Sequence, residues 1–264
     1  MATINDFFDK VFVISLKGSE RRSYFTDTFS KLGIEFEFYD AVRGSELSPE
    51  TIDNIYDEEA ALSHKTTSRS LTVSELGCAL SHLNIYKLMK KENYQQVLIF
   101  EDDAKPVNEN IDEIEHAIND LPKDWELLYL GVKGKVKAPL TFRLKLFLYY
   151  PFVKLLIPKL IKWDYKELWR LYPSKYSEYL KNAGYHQGSH AYGITLEGGQ
   201  KLLEKNKKIA ATYDALLGQA IVENVINGFL VKENIFIQNP EFESQIEGSR
   251  RETEKNIFKK FKND

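Results

Sequence analysis

Cys78 is the only cysteine in this 264-residue chain, so no disulfide can form within it. That fits a reducing compartment, where structural disulfides are rare. Cys78 stands in the apolar stretch LGCAL and reads as a small buried residue. Long hydrophobic runs are missing too. Nothing approaches the roughly 18–20 uninterrupted apolar residues of a spanning helix. The opening MATINDFFDK has acids where a secretory leader has its apolar core. The expectation is a cytoplasmic chain, attached at most to a membrane surface. Net charge is nearly balanced at −3, without the basic excess of a nucleic-acid binder. No glycine-rich loop follows the first apolar run, which excludes a P-loop and a dinucleotide fingerprint. Internal repeats and low-complexity tracts are also lacking. Apolar content of 43% and charged content of 28% are ordinary for a globular protein. The length suits one large α/β domain, or one domain with a substantial insertion.

What is present alternates between strand and helix patterns. Val11–Leu16 (VFVISL) is a β-branched apolar run that predicts a buried strand. Ser19–Leu32 places Tyr24, Phe25, Phe29 and Leu32 on one helix face, and Gly33 stops it. Phe36–Val42 alternates as a second strand, so the chain opens like a parallel α/β sheet. Ser48–Ala61 predicts an acidic helix and Leu62–Arg69 a polar loop. Thr72–Lys91 predicts a helix capped by Thr72 or Ser74 ahead of Glu75. Gln96–Phe100 (QVLIF) is a strand running into three acids. Ile111–Ile118 reads as a helix, and Trp125–Leu130 as a strand ending at Gly131. From Lys133 to Lys181 there are twelve Lys or Arg against three Asp or Glu, with many aromatics. That segment predicts an insertion with its own helices, broken at Pro139, Pro151, Pro158 and Pro173. The pattern resumes with a strand at His186–Ile194, helices at Leu196–Lys205 and Asp214–Ile226, and strand character over Phe229–Gln238.

The chemistry gathers where QVLIF meets Glu101, Asp102 and Asp103. In an open parallel sheet, ligands bind beyond the carboxyl ends of strands. Three acids there repel one another unless a cation lies among them, and oxygen ligands suit Mg²⁺ or Mn²⁺. Such a cation stabilises a departing diphosphate. As a solvated turn the same triplet would be unremarkable. A second cluster, Ser15-Leu16-Lys17 with Glu20-Arg21-Arg22, opens a helix and could hold an anionic group; the alternative is two surface arginines.

The segments VFVISLKGSERRSYF, FEFYDAVRG, LTVSELGCALSHLNIY, VLIFEDDAKP and HQGSHAYGITLEGGQKLL resemble, in order, the motifs of glycosyltransferase family 25, the lipooligosaccharide galactosyl- and glucosyltransferases. The resemblance spans residues 11–131 and 185–247. It implies an α/β GT-A type, Rossmann-like nucleotide-sugar transferase fold with a basic, aromatic, mainly helical insertion. Residues 1–131 would be the nucleotide-sugar-binding half, 132–184 the insertion, 185–247 the acceptor-side half and 248–264 a basic tail. Glu101 and Asp103 would hold Mn²⁺ (or Mg²⁺), with Asp102 near the ribose or metal. Leu16, Arg21 and Arg22 would lie by the nucleotide, and Asp40, Ala41 and Val42 by the uracil. Glu75, Ser81 and His82 would face the donor pocket; His82 could equally serve a hydrogen-bond network. Gly188, Ser189 and His190 match the family's G-T-H-A-Y, with Ser for Thr. Arg43 stands where the family often has Asp or Asn. Asp214 matches the acid that would act as general base in an inverting transfer, although it also looks like a helix N-cap.

The resemblance implies transfer of galactose from UDP-galactose to a lipooligosaccharide core, in β linkage. UDP-glucose is the nearest rival donor. A membrane-associated UDP-binding module without activity is a second class, against which stand the intact acids. A nucleic-acid binder using the basic segment is a third, against which stands its apolar density. Leu144–Ile161 is apolar and punctuated by lysines, as in a helix lying in the inner face of the inner membrane; packing as a helical subdomain is the alternative. The tail from Arg250 to Lys262 reads the same two ways.

Overall fold

A computed structural model describes residues 3–108, 111–134, 141–157 and 162–242. The basic tail 248–264, residues 158–161 of the apolar lysine-rich segment, and Pro139 and Pro158 lie outside the described residues. Ten strands are assigned among those described: β1 (Lys10–Ser15), β2 (Glu37–Asp40), β3 (Gln96–Glu101), β4 (Ala104–Pro106), β5 (Leu127–Tyr129), β6 (Ser174–Lys175), β7 (Leu180–Asn182), β8 (Ala191–Thr195), β9 (Gly228–Val231) and β10 (Phe236–Gln238). The helices are α1 (Ile4–Phe7), α2 (Arg21–Phe29), α3 (Pro49–Ile55), α4 (Glu58–Ser63), α5 (Val73–Glu92), α6 (Asp112–Asn119), α7 (Phe142–Leu156), α8 (Tyr165–Arg170), α9 (Leu196–Lys205) and α10 (Tyr213–Val222).

Eight strands form one sheet in the order β2-β1-β3-β8-β5-β9-β7-β6, and β4 pairs with β10 apart from it. β2, β1 and β3 are parallel, as the opening strand–helix–strand pattern predicts. The sheet is not parallel throughout: β8 runs antiparallel to both β3 and β5. The central strands are covered on both faces, which is why they read as unbroken apolar runs rather than alternating ones. Val97 through Phe100 are fully buried.

Local chemistry sets the element ends. Thr72 and Glu75 form a reciprocal capping box at the start of α5. Gly33 takes a left-handed φ of 68° and ends the turn after α2. The single helix expected over Ser48–Ala61 is two short ones, because Asp57 leaves helical geometry to cap α4 through Ala60 N–H. The expected strand over Phe229–Gln238 is likewise divided into β9 and β10, which enter different sheets. Pro151 lies inside α7 rather than at a break. The segment 132–184 supplies α7 and α8, and also β6 and β7, which extend the main sheet past β9.

An aromatic core holds α2 and β10 to β3 near its carboxyl end. Phe25 and Phe29 stack at 3.7 Å, and Phe29 meets Phe100 at 5.0 Å and Phe236 at 5.5 Å. α2 and β10 are thereby fixed relative to the carboxyl end of β3.

Candidate active site

The three acids at the end of β3 have different partners. Each side chain is held by a different part of the fold. Asp102 accepts hydrogen bonds from Ser15 Oγ at 2.6 Å, Ser19 Oγ at 3.3 Å and Arg21 Nη1 at 3.3 Å. It staples the β1–α2 connection to the end of β3. Asp103 accepts from the Gln238 amide through Oδ2, and its backbone carbonyl accepts from Asn239 N–H at 2.7 Å. Its Oδ1 is buried with no hydrogen-bond partner. Glu101 accepts from Ser189 Oγ, and its Oε1 lies 3.6 Å from His82 Nε2.

These surroundings separate the two outer acids electrostatically. Burial acts against the Glu101 charge, but the His82 imidazole and the Ser189 hydroxyl outweigh it and hold this carboxyl below its usual range. Asp103 goes the other way. Burial first, then the Glu101 and Asp102 charges, push it up to about 7 against the Gln238 amide and Arg21. A half-neutral buried carboxyl with a partnerless oxygen fits a divalent cation: the ion would supply the missing partner and restore the charge. The donor set near Asp103 is oxygen, as Mn²⁺ or Mg²⁺ requires.

His82 is fully buried, stacked on Tyr213 at 3.8 Å, with Nδ1 2.8 Å from Tyr192 Oη. The hydroxyls of Tyr86, Tyr192 and Tyr213 bond to one another in a closed triangle. Burial lowers the basicity of His82.

The β1–α2 connection carries Leu16, Arg21 and Arg22. Arg22 donates to Ser15 O at 2.9 Å and pairs with Asp40, an exposed residue. Ala41 N–H donates to Ser15 O at 2.9 Å. Val42 N–H donates to Ser81 Oγ at 2.8 Å, and that hydroxyl donates to Gly77 O. Ser81 thus ties α5 to the chain after β2. A Cβ on Gly77 would lie 2.6 Å from Val42 O, so only glycine permits this approach. Glu75 is engaged elsewhere: Arg69 grips both its oxygens, at 2.9 and 2.5 Å, and Thr72 N–H adds a third bond.

The loop before β8 carries the third set. Gly188 has a φ of 92°, and its N–H donates to Asp214 Oδ2 at 3.3 Å. Asp214 Oδ1 accepts from Thr212 Oγ1 at 2.7 Å and from Ala215 N–H at 2.8 Å. Thr212, not Asp214, occupies the N-cap position of α10. His190 donates from Nε2 to Phe236 O at 3.1 Å. Of the expected site residues, Glu101, Asp102, Asp103, Arg21, His82 and Ser189 gather at the end of β3, and Gly188 links Asp214 to the Ser189 loop. Glu75, Ser81 and His190 have structural partners, and Asp40 lies at the exposed margin.

Residues 8–217 match the family model described as glycosyltransferase family 25 (LPS biosynthesis protein). The chain belongs to glycosyltransferase family 25. As a family member it is a sugar-transferring enzyme. A candidate glycosyltransferase of Haemophilus influenzae is 26% identical, over 96% of this chain and 82% of that protein. A family 25 member of Anopheles gambiae is 31% identical over 74% of this chain, and procollagen galactosyltransferase 2 of Mus musculus 27% over 74%. The chain spans only 28% and 27% of those two relatives. Among solved structures, mouse xyloside xylosyltransferase 1 gives a TM-score of 0.33 at 12% identity, over 80% of this chain and 81% of that one. That likeness is too distant to bear on the fold.

Three features of this family member's site escaped sequence reasoning. Gln238 and Asn239 hold Asp103, but an amide at the end of a late strand carries no local mark. Cys78 lies with His82 and Glu101 in one cluster; its four-residue spacing from His82 on a helix was the available signal. The tyrosine triangle joins α5, β8 and α10, and no single segment contains it.

Proposed function

We propose that this family 25 enzyme, built as a GT-A type nucleotide-sugar transferase, moves galactose from UDP-galactose to a lipooligosaccharide core in β linkage, with Mn²⁺ assistance. The observation that carries the reading is the partnerless buried oxygen of Asp103 beside Glu101 at the carboxyl end of β3. Galactose is favoured over glucose by the procollagen galactosyltransferases among the relatives. Glu101 and Asp103 would hold the cation, whose chemistry is to offset the charge of the departing diphosphate. Arg21 and Arg22 steer the donor's anionic end toward the start of α2. Asp214 takes the proton from the acceptor hydroxyl. The hydroxyl oxygen then bonds to the anomeric carbon, and UDP leaves with the electron pair of the broken bond, inverting the centre.

UDP release from a panel of UDP-sugars, with and without Mn²⁺, tests this. Turnover of UDP-galactose that needs Mn²⁺ and is lost in Asp103→Ala and Asp214→Asn is the expected result. Retained turnover in Asp214→Asn removes that residue as base. A relative named as an inactive family member, from Homo sapiens, is 33% identical over 48% of the chain; intact UDP binding without turnover on any acceptor would put this protein in that class.

The acceptor would be met at the inner face of the inner membrane, with the chain in the cytoplasm and α7 lying on the lipid. No helix among the described residues is long and apolar enough to cross a membrane. Yet α7 exposes Phe147 and Phe152 at 66%, Leu155 at 80% and Leu156 at 75%, with Lys145 and Lys154 also exposed. Apolar side chains among cations match an anionic lipid surface. Cosedimentation with anionic vesicles, reduced by Phe152→Ser with Leu155→Ser and absent with zwitterionic vesicles, is the outcome expected.

A further inference from the structure

Cys78, His82 and Glu101 come from two rigid elements. Cys78 and His82 are four residues apart on α5 and so share a face, while Glu101 ends β3. The Cys78 thiol sulfur, a ring nitrogen of His82 and a carboxylate oxygen of Glu101 all lie within 4.8 Å of one another. His82 Nε2 is buried without a hydrogen-bond partner and sits 3.6 Å from Glu101 Oε1. Two nitrogen or oxygen ligands of a tetrahedral zinc, each about 2.1 Å from the ion, are about 3.4 Å apart. A sulfur ligand at about 2.3 Å widens the separation only slightly. The His82–Glu101 pair is therefore close to ligating distance before any ion binds, with the sulfur within 4.8 Å of both residues' ligand atoms.

The surroundings fit as well. Tyr192 Oη at Nδ1 and the stacked Tyr213 ring fix the imidazole and leave Nε2 as its free end. A bond from the far ring nitrogen to an oxygen is the usual support for a metal-binding histidine. Tyr192 is in turn bonded to Tyr86 and Tyr213, so the support is itself held. Burial and the surrounding Glu101, Asp214, Asp103 and Glu75 carboxylates push the Cys78 thiol well up, and a cation would offset that negative field.

We propose that Cys78, His82 and Glu101 form a binding site for a thiophilic divalent cation, with Zn²⁺ the ion of matching chemistry. The sulfur and the imidazole distinguish it from the all-oxygen position at Asp103, which suits a harder ion. On binding, the thiol S–H bond breaks, its proton passes to solvent, and the sulfur's electron pair forms the bond to the ion. Thiolate and carboxylate then balance the ion's two positive charges. Glu101 is common to both positions, so Zn²⁺ here displaces Mn²⁺ and inhibits transfer. That last consequence rests on the transferase reading; the binding site does not.

Cobalt(II) titration of the full chain tests the site without any assay of activity. One equivalent of Co²⁺ should raise a near-ultraviolet thiolate-to-metal band, and Zn²⁺ should displace it. Cys78→Ser should abolish the band and weaken Zn²⁺ binding at least tenfold, as should His82→Gln for the affinity. Asp103→Asn should leave the band intact. Circular dichroism establishes that each variant is folded, and Cys78→Ala replaces Cys78→Ser if the latter is not. Stoichiometric Co²⁺ without a thiolate band, or a band lost in Asp103→Asn while both Cys78 variants bind unchanged, overturns the proposal. Absence of any stoichiometric binding by the folded wild type overturns it too.

Discussion

Replacing Asp103 by Asn should stabilise the metal-free protein while removing its capacity to hold the cation. The argument rests on the carboxyl being pushed up to about 7 from 3.8. The sign follows from linkage. Well below 3.8 the carboxyl is protonated in both folded and unfolded chains, and the charge has no effect. As pH rises above the unfolded value, the unfolded chain ionises freely while the folded one resists. A penalty therefore accumulates and is complete once pH passes about 7. A shift of this size corresponds to about 4 kcal/mol at pH 8. Asparagine escapes it, since its amide oxygen accepts from Gln238 as Asp103 does now and no charge is buried. The wild type and Asp103→Asn should have equal stability well below pH 3.8. At pH 8 in chelator the variant should melt about 10 °C higher. Because only the difference is read, titrating groups remote from Asp103 cancel. Millimolar Mn²⁺ should narrow the gap at pH 8 by raising the wild type alone. An Asp103→Asn chain that is no more stable than wild type at pH 8, or a gap that does not close on acidification, refutes the electrostatic reading of this site.

Three further outcomes follow from particular contacts. Burial, reinforced by Lys181, lowers His186 to about 4, so the folded chain resists a proton that the unfolded chain takes up near 6.5; stability should fall by about 3 kcal/mol from this group as pH drops through that window. Urea midpoints of Asp103→Asn, which lacks the opposing carboxyl, should therefore decline from pH 7 to pH 5, and a flat profile contradicts this. Gly131→Ala would set a Cβ 1.8 Å from Phe236 O and should cost about 1–3 kcal/mol in chemical denaturation as β10 shifts. Arg69→Met leaves the Glu75 carboxylate, only 5% exposed, without its ion partner and should cost about 3 kcal/mol in thermal melts, whereas an unchanged melting point would mean solvent reaches Glu75.

Much of this architecture can be read along the chain. β1 and β3 are continuous β-branched runs because both faces are covered. α5 announces itself through Thr72 and Glu75, and α9 through Thr195, whose side chain caps it. The carboxylates at the end of β3 stand out for the same reason: an acid directly after a buried run needs explaining. What stayed hidden was relational. The direction of β8 is not written in AYGIT, since a fully buried strand has the same pattern whichever way it runs. β6 and β7 are too short to show periodicity, and their identity comes from β9 alongside. The different settings of Glu101, Asp102 and Asp103 depend on Ser189, Ser15 and Gln238, residues distant in sequence. Their separate roles become legible only when those partners are in place.

The reversed course of β8 has a further meaning. β5 leaves the sheet and β8 enters it side by side, with Tyr129 opposite Tyr192 and the pairing continued by Lys133 opposite Gln187. Among the described residues between those two, α7 and α8 lie outside the sheet, while β6 and β7 return to it beside β9. Lengthening such an excursion costs only the slow logarithmic growth of loop closure. The stem of paired β5 and β8 also opens beside Gly188 and Ser189, whose hydroxyl holds Glu101. Exchanging α7 and α8 for other elements would change what this enzyme touches without disturbing the strand that carries its chemistry.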